Sequence, residues 1–206
     1  MNRLMIISSN SDPVLQYGTK HNGGQSKYIF ELGKNLVRED WEIDVFTIKN
    51  PNSEDSFQIT EGFVIYRFNL QDNREYSYEV DENDINQITD PIIHFINGNN
   101  LRYDIVLCCY WLSGMVGLKL KKVFTKNTLI TFCSLGYFKQ AATGMSPHLS
   151  YRIDNEKYIA QNIDHIIATS NEEKRVLIDF YEVPSCKITV IPRGVDTKKF
   201  RKINEL

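Results

Sequence analysis

The sequence predicts an α/β domain built on a mostly parallel sheet. Short apolar segments rich in β-branched residues alternate along its 206 residues with segments whose apolar residues recur at helical spacing. Strands separated by helices of this length are typical of parallel sheets with right-handed crossovers. We therefore expect a single Rossmann-like domain whose sheet is flanked by helices.

The individual elements follow from this alternation. The expected strands are Leu4–Ser8, Ile43–Thr47, Phe63–Phe68, Asp104–Cys109, Thr128–Phe132, His165–Thr169 and Lys187–Ile191. The expected helices lie at about Gly24–Arg38, Ile85–Ile96, Gly114–Phe124, Leu149–Asn162 and Glu172–Tyr181. The expected loops are the polar stretches Asn10–Asn22, Asn50–Thr60, Asn69–Asp84 and Gln140–Pro147. Ligands of such sheets bind beyond the carboxyl ends of the strands, so the loops there are the places to look for a site.

Composition narrows the function classes. The formal net charge is -2, with Lys+Arg 24 against Asp+Glu 26, which gives no electrostatic reason to expect nucleic acid as a partner. A local basic cluster could still bind a small anion. The first apolar run is too short for a signal peptide, and no apolar stretch approaches the roughly 20 residues of a transmembrane helix.

Cysteine and histidine patterns predict neither a disulfide framework nor a metal site. The four cysteines show no CxxC spacing, and the four histidines lack metal-ligand spacing. Unpaired thiols in strands are usually buried hydrophobic residues. A reducing compartment, the cytoplasm, is the expected location.

A pair of glycines opens the first predicted helix. Gly23 and Gly24 would let a ligand approach the backbone closely, and the helix that follows would offer free N–H groups and the positive end of its dipole. This combination suits a diphosphate, although a plain turn before a helix would use the same residues. The spacing is not GxGxxG, so it does not predict a dinucleotide site.

An ordered set of motifs runs through nearly the whole chain. Its members are Gly23-Gly24-Gln25-Ser26-Lys27-Tyr28, Tyr110-Trp111-Leu112-Ser113-Gly114, Ser134-Leu135-Gly136 with Lys139, Thr169-Ser170 with Glu172 and Glu173, and Ile191-Pro192-Arg193-Gly194-Val195-Asp196 with Phe200. Together they resemble the N-terminal half of family 4 retaining GT-B glycosyltransferases, most of all the sucrose-phosphate synthase and sucrose synthase branch.

The resemblance implies a role for each motif. In that family the N-terminal domain holds the acceptor, the C-terminal domain holds most of the nucleotide-sugar donor, and the glycine-rich loop closes over the donor's phosphates. It therefore implies Gly24 and Gln25 at the reacting centre. It implies that the remaining substrate-binding residues are Gly23, His21, Tyr110, Trp111, Cys133, Ser134, Lys139 and Arg152.

The resemblance also implies a domain division. Residues 1–192 would form the acceptor-side domain and residues 193–206 the start of an interdomain linker. A C-terminal donor-binding domain would then be needed in cis or in trans, and the chain by itself would be inactive. No cofactor is implied, because the nucleotide sugar is a co-substrate.

Three positions depart from the branch, and several alternatives stay open. The branch carries histidines at the positions of Leu107 and Cys133 and a polar residue at the position of Cys109, so part of the expected sugar contact is missing.

Lys139 and Arg152 could bind an acceptor phosphate or be ordinary surface charge. Glu156 lies one turn beyond Arg152 and could pair with it. The missing histidines favour a non-catalytic sugar- or sugar-phosphate-binding module, whereas the retained motifs favour an enzyme.

Overall fold

The computed structural model describes residues 2–14, 23–50, 53–70, 80–124, 127–197 and 199–200 of the chain. The strands within this part are β1 (Asn2–Ile7), β2 (Trp41–Ile48), β3 (Ser56–Thr60), β4 (Phe63–Phe68), β5 (Ile105–Cys109), β6 (Asn127–Thr131), β7 (His165–Ala168) and β8 (Ile188–Val190). The α-helices there are α1 (Gly24–Val37), α2 (Glu82–Gly98), α3 (Trp111–Phe124), α4 (Gly136–Thr143), α5 (Pro147–Asn162) and α6 (Asn171–Asp179).

The described strands form one sheet in the order β3-β4-β2-β1-β5-β6-β7-β8. All neighbours pair in parallel except β3, which pairs antiparallel with β4 at one edge. From the central pair β1 and β5 the chain winds outward in opposite directions. This order confirms the predicted α/β class and places the topological switch point between β1 and β5.

Apolar residues cover both faces of the sheet. On one face α1 packs against β2 and β4, and its Gly33 lies so close to the Phe63 ring that an added Cβ would stand 2.4 Å from it. On the other face α2, α3 and α5 bury a larger cluster that includes Met5, Val116 and Ile159. Two apolar layers of this kind are what a sheet buried on both sides requires.

Local signals fix where several helices begin. Asp81 and Asp84 form a reciprocal capping box at the start of α2. Ser146 caps α5, which has Pro147 at its first position. Ser170 caps α6 by accepting from the Glu173 amide, while the Glu173 carboxylate accepts from the amide and hydroxyl of Thr169. The Thr169-Ser170 motif is thus a helix cap.

The structure corrects two of the expected loops. The second half of Asn50–Thr60 is an edge strand, which the polar composition concealed because its side chains are mostly exposed. The expected loop Gln140–Pro147 begins inside helix α4, which starts at Gly136 and continues to Thr143. Helices α3, α2 and α5 also begin earlier than expected, at Trp111, Glu82 and Pro147. Glu82 lies within the expected loop Asn69–Asp84. Among the described residues no helix is long and apolar enough to cross a membrane.

Candidate functional site

Gln25 spans the switch point of the sheet. Its side-chain amide donates to Ser8 Oγ, just beyond β1, at 3.2 Å and to the carbonyl of Cys109, at the end of β5, at 3.3 Å. Asn10 Oδ1 accepts from the same nitrogen at 3.2 Å. Gln25 is therefore part of the crevice at the carboxyl edge and not a solvated residue on the outside of α1.

Among the described residues, the start of α1 is left open. Gly23 occupies the N-cap in an extended conformation, and none of the side chains in this part of the chain caps the helix. A Cβ added at Gly23 or at Gly24 would meet no atom within 4 Å in the part of the chain that the structure describes, so packing there requires neither glycine. The first amides of a helix have no intrahelical acceptor. The anion site that the sequence predicts at this end of α1 stays a prediction.

Buried polar contacts hold the loop after β1 against its neighbours. Asp12 forms a fully buried ion pair with Arg67 of β4, at 2.5 Å between Oδ2 and Nε. The amide of Ser9 donates to Ser113 Oγ of α3 at 3.0 Å. These contacts fix one wall of the crevice before any ligand arrives, as a preorganised site requires.

The backbone is strained where β5 and β6 end. Tyr110 and Cys133, which follow these neighbouring strands, have φ values of 82° and 61°. Residues with side chains rarely adopt this left-handed region, and such strain collects at functional sites. Both strained residues are among those singled out by the family resemblance.

Arg193 reaches into this edge from the segment after β8. Its Nη2 donates to Thr131 Oγ1 at 3.0 Å and approaches Cys133 Sγ at 3.5 Å. Its guanidinium carbon lies 3.4 Å from the centroid of the Tyr28 ring of α1. Three elements thus converge on one cation. The sequence motif contains Arg193, but nothing in its spacing along the chain shows that it returns to the end of β6.

The thiol of Cys133 lies beside Arg193, donates to the Thr131 carbonyl at 3.7 Å, and is coupled electrostatically to the thiol of Cys109. The interaction with Cys109 and the positive charge of Arg193 lower the pKa of Cys133, against the opposing effect of burial. The same interaction, together with burial, raises the pKa of Cys109. The sequence contains no signal that a cation lies beside this thiol.

Arg152 has different surroundings. Its Nε donates to Glu156 Oε1 at 2.7 Å, its Nη2 donates to the carbonyl and hydroxyl of Ser134 at 2.6 and 3.0 Å, and its guanidinium lies 4.9 Å from the Tyr110 ring centroid. Glu156 also accepts from the Gly136 amide and from Tyr181. The pairing of Arg152 with Glu156 that the sequence left open is present, and Arg152 is only 9% exposed.

The other predicted site residues lie in varied places. Lys139 is exposed on α4, and no hydrogen bond or ion pair joins it to Arg152. Trp111 is 6% exposed and packs edge-on against Tyr151. Leu107 is buried in the apolar cluster under α1, on the β5 segment before the crevice. His21 lies outside the described residues.

A cavity of about 200 Å³ lies at the opposite edge of the sheet. Its lining includes Ile96 and Asn100, after α2, and Tyr103, just before β5. None of the motif residues contributes to it. The carboxyl edge, with its strained backbone, open helix start and free thiols, is therefore the candidate site.

The family follows from a direct comparison. Residues 22–199 match the model of Glycosyltransferase Family 4. The chain belongs to glycosyltransferase family 4. It has the fold of the N-terminal half of a GT-B enzyme, which agrees with the predicted resemblance.

Individual relatives point to the same half. The chain is 28% identical over 201 residues to a D-inositol 3-phosphate glycosyltransferase of Corynebacterium jeikeium, covering 96% of this chain and 48% of the relative. It superposes on a sucrose-phosphate synthase from Thermosynechococcus elongatus with a TM-score of 0.82 and 27% identity, covering 98% of this chain and 51% of that one. Anabaena HepE, solved with UDP and glucose, shares the fold at a TM-score of 0.63 and 11% identity, over 96% of this chain and 46% of HepE. The chain thus spans about half the length of these proteins.

Proposed function

We propose that this domain is the acceptor-side half of a retaining glycosyltransferase that moves a sugar from a nucleotide-sugar donor to an acceptor hydroxyl. One observation supports the proposal more strongly than the others. The Gln25 bridge joins the ends of β1 and β5 beside the open start of α1, which supports a reacting centre at the switch point. A helix start next to the reacting centre stabilises the negative charge that develops on a leaving diphosphate.

In this reaction the protein's main contribution is positioning. The bond between the sugar and the diphosphate breaks, and the acceptor oxygen bonds to the same carbon on the same face. The first amides of α1 and the residues Gly24 and Gln25 would hold the diphosphate and the sugar, while the crevice walls orient the acceptor. Arg193 supplies a positive charge beside Cys133, the position where the related branch carries a histidine. The crevice therefore still contains a cation, although it lacks that imidazole.

The donor itself requires a second domain. We assign residues 1–192 to the acceptor-side domain and residues 193–206 to the start of the linker, with a donor-binding domain acting in cis or in trans. The length of the relatives, about twice that of the matched region, supports this division. We place the reaction in the cytoplasm, with the nucleotide sugar as co-substrate and no further cofactor. The free thiols support a reducing compartment, and the near-neutral charge gives no support to a nucleic-acid partner.

A phosphorylated sugar or polyol is the acceptor class that we favour. The names of two relatives, an inositol 3-phosphate glycosyltransferase and a sucrose-phosphate synthase, both contain a phosphate ester. Lys139 is exposed one turn into α4, close along the chain to Ser134, and is the cation that we assign to that phosphate. A charge-assisted hydrogen bond of this kind is worth about 1.5–3 kcal/mol.

Titration calorimetry on the 206-residue chain tests the assignment. We expect a hexose phosphate or inositol phosphate to bind, and Lys139→Ala to weaken that binding about tenfold or more without changing the binding of the plain sugar. Lys122→Ala is the matched control, because Lys122 lies in the last turn of α3, toward the amino edge of the sheet. Equal losses of affinity for phosphorylated and plain sugars would show that Lys139 does not bind the phosphate.

The same preparation tests the division between the halves. We expect UDP alone to bind more weakly than about 1 μM, which corresponds to about -8 kcal/mol, and we expect no turnover of nucleotide sugars by this chain alone. Robust sugar transfer, or tight binding of UDP, would contradict the assignment to the acceptor side. Binding of a sugar phosphate without turnover, even when a donor-binding domain is supplied, would instead favour the alternative of a non-catalytic binding module.

A further inference from the structure

Arg193 brings a guanidinium group into the crevice without a carboxylate partner in the described part of the chain. Its Nη2 donates to Thr131 Oγ1 at 3.0 Å and to Cys133 Sγ at 3.5 Å. The Cys133 thiol in turn donates to the carbonyl of Thr131 at 3.7 Å. The guanidinium carbon lies 3.4 Å from the centroid of the Tyr28 ring. These partners fix the position of the cation and do not neutralise its charge.

The partners of Arg193 come from separate parts of the sheet edge. Tyr28 belongs to α1, Thr131 ends β6, and Cys133 occupies the left-handed turn that follows β6. Burial raises the pKa of Tyr28, so its ring stays neutral beside the cation. A guanidinium that stacks on an aromatic ring loses freedom of rotation but keeps the donors at its edges. The side chain of Arg193 is therefore ordered before any ligand binds.

Two nitrogens of this guanidinium remain available to a ligand. Both hydrogen bonds that Arg193 makes with the described residues come from Nη2, so Nε and Nη1 have no acceptor among them. Arg193 is only partly buried, which leaves these donors within reach of the crevice. Arg152 differs, because its Nε already donates to the Glu156 carboxylate at 2.7 Å. Free guanidinium donors match the oxygens of a phosphate in both charge and geometry.

The acidic side chain in this region is engaged elsewhere. Glu173 of α6 acts electrostatically on Cys133, so it lies near the same edge of the sheet. Its Oε2 accepts from the amide of Thr169 at 2.7 Å and from the hydroxyl of Thr169 at 2.6 Å. The hydrogen bonds of Arg193 go to Thr131 and Cys133 instead. Glu173 therefore caps its own helix and leaves the guanidinium to an incoming anion.

We propose that Arg193 binds a phosphate group of the substrate and so helps to determine which ligands the crevice accepts. The proposal rests on the proposed transferase function, which brings two kinds of phosphate to this edge: the donor's diphosphate and the phosphate ester of an acceptor. Arg193 contacts α1 through Tyr28 and the segment just before α4 through Cys133. It can therefore meet a phosphate from either source, and the experiment distinguishes the two.

Titration calorimetry with four probes tests the contact. The probes are inorganic pyrophosphate, UDP, glucose 6-phosphate and, as the uncharged reference, glucose. We expect Arg193→Met to weaken the binding of phosphate probes by about tenfold to a hundredfold and to leave the binding of glucose unchanged. A loss confined to pyrophosphate and UDP would assign Arg193 to the donor's diphosphate. A loss confined to glucose 6-phosphate would assign it to the acceptor.

A matched variant controls for the change in net charge. Arg38 is exposed at the other end of α1, where it follows the last helical residue. Arg38→Met removes the same charge far from the carboxyl edge, so we expect it to leave the affinity for every probe unchanged. Far-UV circular dichroism identical to that of the parent chain establishes that each variant is folded.

Two further measurements separate direct binding from a structural role. The Nε–H signal of Arg193 in a nitrogen–proton NMR spectrum is identified by its absence from Arg193→Met. We expect this signal to shift at saturation with the phosphate probe, because Nε is one of the free donors. Arg193→Lys keeps the charge but not the planar fork, so we expect it to lose less affinity for that probe than Arg193→Met.

Several outcomes would overturn the proposal. One is unchanged affinity for all phosphate probes in a folded Arg193→Met variant, and another is a parent chain that binds none of them. Equal losses for glucose and glucose 6-phosphate, or equal losses in Arg193→Lys and Arg193→Met, would show that shape and not charge is recognised. A stationary Nε–H signal would exclude direct contact. The transferase function is decided separately, by turnover when a donor-binding domain is supplied.

Discussion

Two guanidinium groups lie at the same edge of the sheet, and their partners differ. Arg152 is nearly buried and faces a carboxylate, Glu156, which is itself inaccessible to solvent. Arg193 is only partly buried and faces a hydroxyl, a thiol and an aromatic ring. The first cluster is closed and matched in charge, whereas the second is open and leaves most of its positive charge unneutralised.

The difference separates a structural cation from one that is available to a ligand. A buried guanidinium with a carboxylate and two further acceptors has most of its donors satisfied, so it mainly holds α5 against the turn at Ser134. A guanidinium among neutral groups can still attract an anion or stabilise a thiolate. Family resemblance singles out Arg152, but the contacts favour Arg193 as the cation that acts on what enters the crevice.

The largest effect that we expect is on the closed cluster. Arg152→Met should lower the free energy of unfolding by about 3–5 kcal/mol, because it leaves the Glu156 carboxylate buried without its cation. Urea denaturation measures this loss. The double variant Arg152→Met with Glu156→Gln should recover a substantial part of it, since the remaining amide can still accept from Gly136 and Tyr181. A loss below about 1 kcal/mol in the single variant would show that the cluster is not closed.

A second contrast concerns glycines. Gly117→Ala should destabilise the chain by about 1–3 kcal/mol, because its Cβ would stand 2.2 Å from the sulfur of Cys108. Gly24→Ala should leave stability unchanged or raise it by up to about 1 kcal/mol, because its Cβ would meet open space. Thermal or urea unfolding of the two variants compares them directly. A destabilised Gly24→Ala would mean that packing, and not an approaching ligand, requires this glycine.

The smallest stability effect should come from the open cluster. Arg193→Met should change the free energy of unfolding by no more than about 1 kcal/mol, since the two hydrogen bonds and the cation–π contact that it removes belong to a guanidinium that is itself partly exposed. The same urea experiment measures it beside Arg152→Met. Equal losses of stability in the two variants would show that Arg152 and Arg193 do not differ as a structural arginine and a site arginine.

The spacing of apolar residues predicts most of the sheet, because buried strands and amphipathic helices need apolar residues at regular intervals. The seven expected strands correspond to β1, β2 and β4–β8, and only their ends shift. The edge strand β3 was missed because an edge exposes its side chains and needs no apolar alternation. Helix α4 was missed because Gly144 and Pro147 favour a loop, although the helix continues to Thr143, just before them. Gly136 at its start packs closely against Ile153, since an added Cβ would lie 2.7 Å from that side chain.

The sequence by itself determined the α/β class, the glycine-flanked start of α1 and the motifs that place the chain in its family. These features are local or periodic, so they can be recognised from neighbouring residues alone. The tertiary structure decided which cation pairs with which partner, and that Arg193 returns to the end of β6 across 60 residues of sequence. Such contacts depend on the order of strands in the sheet, because parallel strands bring together residues that are far apart along the chain.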